Sequence, residues 1–193
     1  MVIAMPTIKN VTGMQARTDV SKLASNIRAA RGHAAVSGET CRMVFNIAKS
    51  GSSYTLECTK AATTIAKETS RNGVRDVLDP LNDHRTGETV EQQKARDALK
   101  AKAAFTPSKA LPTQVFKGSA QLYSVWTPHQ PEAYTGGQAM LYFFPSGTVE
   151  PANIIVQQDS DTFYTVQVTG LAGEVKVLGD KVALPQQSSD DDW

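Results

Sequence analysis

Cys41 and Cys58, the only two cysteines in the chain, are the first residues to test for chemistry. A metal site built on them would want more ligands at close spacing in the sequence. A cysteine nucleophile would want an activating base beside it. Neither is visible; opposed on a predicted hairpin, Cys41 and Cys58 read as a cross-strand disulfide, which implies an oxidising compartment, with a pair of buried free thiols as the alternative. His33, His84 and His129 lie in different segments, His33 on a predicted helix and the other two in predicted loops. Without ligand-like spacing they read as solvated or structural histidines. There is no phosphate-binding glycine loop and no G-x-S-x-G elbow, and Gly136-Gly137 precedes a strand, not a helix. Asp190-Asp191-Asp192 could attract calcium, but a tail supplies too few preorganised ligands. Asn10-Val11-Thr12 matches a glycosylation sequon inside a predicted helix, where chance explains it better. The expectation is therefore no catalytic site, no metal and no cofactor. An enzyme or secreted binding module with an unfamiliar site is the competing class.

Composition bounds the rest. The chain has 193 residues, 40% of them hydrophobic and 20% charged, with a net charge of +1. That suits a single domain over 1–193 with a real core. The charge is uneven. Residues 1–50 carry +5, residues 51–129 carry +3 and residues 130–193 carry −7. Such asymmetry favours head-to-tail contact between copies. The first helix carries five basic residues but no aromatic ones to stack on nucleic acid, and the segment from Lys94 to Lys109 carries more; solvated faces explain both, so nucleic acid is not an expected partner. No stretch approaches the roughly 18 apolar residues of a membrane span. The opening Met1-Val2-Ile3-Ala4-Met5-Pro6 reads as the end of an apolar segment whose upstream part is missing.

The elements that must position the cysteines follow from periodicity. Residues 7–37, within an N-terminal helical segment 1–38, read as one long helix. Val20, Leu23, Ile27, Ala30 and Ala34 recur at three- and four-residue steps on one face. Ile8, Val11 and Met14 continue a thinner stripe upstream, while Lys9, Arg17, Lys22, Arg28 and Arg31 take much of the remaining surface. Pro6 fits a first turn and Gly38 a stop. Residues 40–59 read as a β-hairpin around Ala48-Lys49-Ser50-Gly51. Folding it there sets Phe45 opposite Tyr54, Met43 opposite Leu56 and Cys41 opposite Cys58, all six on the face toward the helix.

Residues 60–110 are polar and rich in turn signals, with a solvated helix over 88–104; they read as a mobile insertion. Strands are then expected at 113–117, 120–126, 138–144, 152–158, 162–169 and 174–178. The tail 186–193 is acidic and expected to be disordered. The fold class is α+β, one long N-terminal helix packed on antiparallel β-sheet.

Four stretches carry a resemblance. They are Val2-Ile3-Ala4-Met5-Pro6-Thr7-Ile8, the helix from Leu23 to Glu39, the strand Cys41-Arg42-Met43-Val44-Phe45, and Leu141-Tyr142-Phe143-Phe144-Pro145-Ser146-Gly147 with its F-x-P-x-G turn. Together they resemble the GspH/FimT family of minor pseudopilins and type IV minor pilins. The resemblance implies a pilin-like fold and a structural role in a type II secretion pseudopilus, at filament tip assembly and initiation. It implies partners among other pseudopilin or pilin subunits, and a periplasmic head held in the inner membrane by a missing N-terminal helix. Pro6, Ile8, Val11 and Met14 would then face the filament core. Val20, Leu23, Ile27, Ala30, Met43, Phe45, Tyr54 and Leu56 would form the helix–sheet core. The alternative within the family is a type IV minor pilin acting in pilus assembly or DNA uptake. The −7 charge of residues 130–193 speaks against DNA. The prepilin cleavage signature is absent, and the 60–110 segment is longer than the family pattern suggests.

Overall fold

A computed structural model describes residues 9–61, 63, 65, 104–170 and 172–182. Helix α1 runs Lys9–Ser37, 29 residues, or about 44 Å at 1.5 Å per residue. Gly38 ends it. Its φ of +70° is the left-handed conformation that glycine adopts without a Cβ penalty, and its N–H closes on the Ala34 carbonyl at 3.1 Å. The hairpin strands are β1 (Thr40–Ile47) and β2 (Ser53–Thr59). Two short strands follow, β3 (Thr106–Pro107) and β4 (Gln114–Val115). Five longer ones complete the strands of the described residues: β5 (Gln121–Trp126), β6 (Gly137–Phe143), β7 (Ala152–Gln157), β8 (Phe163–Thr169) and β9 (Glu174–Leu178).

The strands form two antiparallel sheets. One has the order β3-β2-β1-β6, with β4 also on β2; the other has the order β5-β7-β8-β9. The hairpin register is the expected one, with Cys41, Met43 and Phe45 opposite Cys58, Leu56 and Tyr54. β1 then pairs on its other edge with β6, Cys41 opposite Phe143 and Phe45 opposite Ala139. This long-range pairing makes β1 a central strand, as its alternately buried positions require.

The helix stripe buries against both sheets. Ala16, Val20, Leu23, Ala24, Ile27, Ala30 and Ala34 are all at most 2% exposed, in one cluster with Met43, Phe45, Leu56, Leu141, Ile154 and Val166. Each large aliphatic side chain so buried contributes about 1.5–3 kcal/mol. Small alanines at 16, 24, 30 and 34 let the helix backbone lie close to the strands. The arginines depart from the expected free surface. Arg17 donates to the Tyr164 hydroxyl at 3.4 Å, Arg28 to the Val175 carbonyl at 2.7 Å and Arg31 to the Gly147 carbonyl at 2.6 Å. They fasten the helix to β8, β9 and the turn after β6, satisfying edge carbonyls that would otherwise need water.

Most expected strands appear within a residue or two, although 113–117 shortens to β4. In the expected insertion 60–110, the chain is back on the sheet by β3, where Cys58 faces Thr106 and Glu57 faces Pro107. The Ser108 N–H donates to the Leu56 carbonyl at 2.8 Å. Residues 66–103, which include the expected solvated helix almost entirely, lie outside the described residues, as does the tail 186–193.

Candidate functional site

The expected core residues meet at one joint. Val20, Leu23, Ile27, Ala30, Met43, Phe45, Tyr54 and Leu56 are all buried in the same cluster. Phe45 and Tyr54 contact ring to ring at 6.2 Å, and Tyr54 meets Phe116 edge-on at 5.8 Å. Asn26 on the helix donates to the Tyr54 hydroxyl at 3.0 Å. Burial pushes the Tyr54 phenol up from 10.0 to about 12, opposed by the Asn26 hydrogen bond and reinforced by the nearby Asp19 carboxylate. Asp19 in turn accepts the Lys117 N–H at 2.9 Å, pinning the chain that follows β4 to the helix. Of the expected filament-facing residues, Pro6 and Ile8 lie outside the described residues. Val11 and Met14 fall on the described helix backbone.

Cys41 and Cys58 are joined as a disulfide with their Cα atoms 4.0 Å apart. What surrounds them was not legible in the sequence. His33, one turn before the helix end, and Glu39, just past Gly38, come to the same corner. The His33 Nε2 lies 3.9 Å from a Glu39 carboxylate oxygen and 3.4 Å from the Ser108 hydroxyl. One donor atom from each of His33, Glu39, Cys41 and Cys58 lies within 4.8 Å of all the others. The sharp reversal at Gly38 folds residue 39 back beside residue 33, and the hairpin brings residue 58 to residue 41. Only the assembled joint unites the four.

A second polar group sits on the outer side of the first sheet. His129, expected in a loop, does lie in a turn, but it is only 7% exposed. Its Nδ1 lies 3.0 Å from a Glu150 carboxylate oxygen and 3.1 Å from the Thr127 hydroxyl, and its ring meets Tyr142 edge-on at 5.5 Å. The other Glu150 oxygen accepts the Tyr142 N–H at 3.2 Å. A hydroxyl, an imidazole and a carboxylate together suggest nucleophilic catalysis, but the geometry is wrong for it. The triad arrangement places hydroxyl and acid on opposite ring nitrogens, whereas both approach Nδ1 most closely here. Thr127 is also fully buried, out of reach of a substrate. The group instead locks the β5–β6 connection onto the start of β7. His84 lies outside the described residues.

A surface cleft of about 110 Å³ lies between the helix and β4, lined by Gln15, Asp19, Lys22, Tyr54, Val115 and Lys117 among others. The Asp19 carboxylate in it already accepts from the Lys117 N–H and the Gln15 side-chain amide.

No protein-family profile matches the sequence, and no curated protein matches it. Two solved structures of the minor pseudopilin EpsH from the type II secretion system of Vibrio cholerae are similar in shape. One is 13% identical, with 86% of this chain and 97% of that chain covered, at a TM-score of 0.47. The other is 12% identical, with 88% and 96% covered, at a TM-score of 0.45. At that level of likeness, a function must be argued from the residues of this chain.

Proposed function

We propose that this chain is the head of a pseudopilin-like filament subunit, a structural protein of a type II secretion pseudopilus that acts at filament tip assembly and initiation. The observation that carries the reading is the apolar patterning of α1 in the sequence: Val11 and Met14, three residues apart, precede the stripe from Ala16 to Ala34 that the head buries against its own sheets. In this reading they pack on neighbouring subunits, with Pro6 and Ile8 above them, and the helix continues upstream into the inner membrane. The head lies in the periplasm, where an oxidising environment preserves the Cys41–Cys58 bridge. The +5 balance of residues 1–50 and the −7 of residues 130–193 supply opposite charges for stacking copies or relatives.

The test is Val11→Asp combined with Met14→Asp in the native gene. The purified head should melt as the parent does, while secretion through the system falls to the level of a deletion. A photocrosslinker at position 11 should capture pilin-like subunits. Loss of pili or of DNA uptake with secretion intact would move the assignment to a type IV minor pilin. Secretion, pili and crosslinks all unchanged would end the filament reading.

A further inference from the structure

The corner at the C-terminal end of α1 holds donor chemistry that a disulfide alone does not need. Two sulfurs, an imidazole and a carboxylate converge within 4.8 Å. They come from four different places: α1, the connection after it, β1 and β2. Cys41 and Cys58 are 0% and 5% exposed, whereas the side chains of His33 and Glu39 are 30% and 22% exposed. The sulfurs thus form a buried floor, and the imidazole and carboxylate form a rim open to solvent, which gives an entry path. Two thiolates, one imidazole and one carboxylate make a four-ligand set suited to zinc. The sulfurs are bonded to each other in the disulfide; around a tetrahedral zinc at about 2.3 Å they would sit roughly 3.8 Å apart, so the bridge must open before the metal enters. The Ser108 hydroxyl, 3.4 Å from the His33 ring, and the Cys58–Thr106 pairing of β3 close the corner from the side.

We infer that, with Cys41 and Cys58 as thiols, the folded chain binds a thiophilic divalent cation of the zinc class through Cys41, Cys58, His33 and Glu39. The disulfide and the metal are alternative closures of one joint. Cysteines are incorporated as thiols, so binding needs no redox partner. The two thiols lose two protons, two sulfur–metal bonds form, neutral His33 gives a lone pair and Glu39 a carboxylate oxygen. Closing the disulfide then takes an oxidant of the protein-disulfide class. One S–S bond forms in this chain as the cation leaves, and the two electrons, with two protons taken from solvent, reduce the oxidant's disulfide to a dithiol. The sulfurs cannot serve both bonds, so metal in the site shields the thiols from oxidation and oxidation expels the metal. This inference stands apart from the filament reading.

The test uses the whole chain, reduced with a phosphine under nitrogen and titrated with cobalt(II) alone as the spectroscopic probe. Reduced protein should give a sulfur-to-cobalt charge-transfer band together with the visible bands of tetrahedral cobalt, both removed by zinc. Oxidised protein should give neither. Losing even an outer-shell partner costs about 10–100-fold in metal affinity, so His33→Ala should weaken binding by at least that much and Glu39→Gln by less. Oxidised His33→Ala should keep the parent's far-ultraviolet dichroism, which separates ligand loss from misfolding. Zinc should raise the melting temperature of the reduced parent and leave that of reduced His33→Ala unchanged. The inference is overturned if reduced protein shows no charge-transfer band. It is equally overturned if His33→Ala binds cobalt as tightly as the parent, because binding would then be to bare thiols.

Discussion

Gly173 and Gly170 close the same β8–β9 turn, and comparing them tests how tightly that turn seats on the helix. The Gly173 N–H donates to the Gly170 carbonyl at 3.0 Å, and their φ angles are nearly equal, +63° and +66°. A side chain in that conformation costs about 1–2 kcal/mol at either position. Stiffening the unfolded chain returns about 0.4–1 kcal/mol of this. Their surroundings differ. A Cβ at 170 meets nothing within 4 Å, while one at 173 would lie 2.3 Å from Val149 Cγ1 and 3.2 Å from Arg31 Cδ. Neither neighbour can withdraw cheaply: Val149 is 2% exposed and bridges to Phe143, and Arg31 is held by the Gly147 carbonyl. Overpacking of this kind costs about 1–3 kcal/mol. Gly173→Ala should therefore be less stable than Gly170→Ala by that amount, at roughly 2–4 °C of melting temperature per kcal/mol for a chain of this size. Urea denaturation of both variants measures it. Adding Val149→Ala should recover part of the loss in Gly173→Ala and none in Gly170→Ala, since only the first pair touches. Equal stabilities for the two glycine variants would refute the packing of this turn on the helix.

Two further predictions concern the helix–sheet joint. The folded protein keeps the Tyr54 proton up to about pH 12, whereas the unfolded chain loses it near 10. The contribution of this group is complete below pH 10 and declines as pH rises toward 12, because there the native state binds more protons than the unfolded one. Tyr54→Phe should be less stable than the parent at neutral pH by about 0.5–1.5 kcal/mol, for the lost Asn26 hydrogen bond. Urea midpoints should show that gap narrowing above pH 10, and a constant gap would show that the phenol is not shifted. For the disulfide, air-purified protein should yield no alkylatable thiol on denaturation. Cys41→Ala with Cys58→Ala should lose at most roughly 3 kcal/mol, the chain-entropy value for a 17-residue separation. Two alkylatable thiols in the air-purified chain would refute the bridge.

The sequence was most legible where one short-range pattern settled a question. Three pairs on the hairpin agreed on one register, since slipping one strand by one residue would have turned its three apolar side chains to the other face. The helix stripe and its stop at Gly38 were legible for the same reason. Strand positions were also readable, but strand partners were not. Alternation marks which face is buried and is silent on which edge meets which, so the β1–β6 pairing and the split into two sheets stayed hidden. β3 gave no signal, being two residues long and containing Pro107. The histidines were the larger miss. His33 and Glu39 are six residues apart, a spacing that looks unrelated until Gly38 reverses the chain. His129 meets Glu150 across 21 residues, through strands on either side. The arginines at 28 and 31 read as solvated because their acceptors are backbone carbonyls more than 100 residues away, which no charge pattern records.

The position of β1 between a near partner and a far one sets a timetable for the growing chain. β2 reaches it at once, through a five-residue loop. β6 ends 85 residues beyond Cys58, at Phe143, and translation at about 5–20 residues per second delivers it roughly 4–17 s later. A β-hairpin forms in microseconds, so Cys41 and Cys58 can face each other long before the other edge of β1 is covered. During that interval an open strand edge and the alanine-rich stripe of α1 are exposed, and a later bond between the sulfurs staples the edge on which the rest of the first sheet is laid.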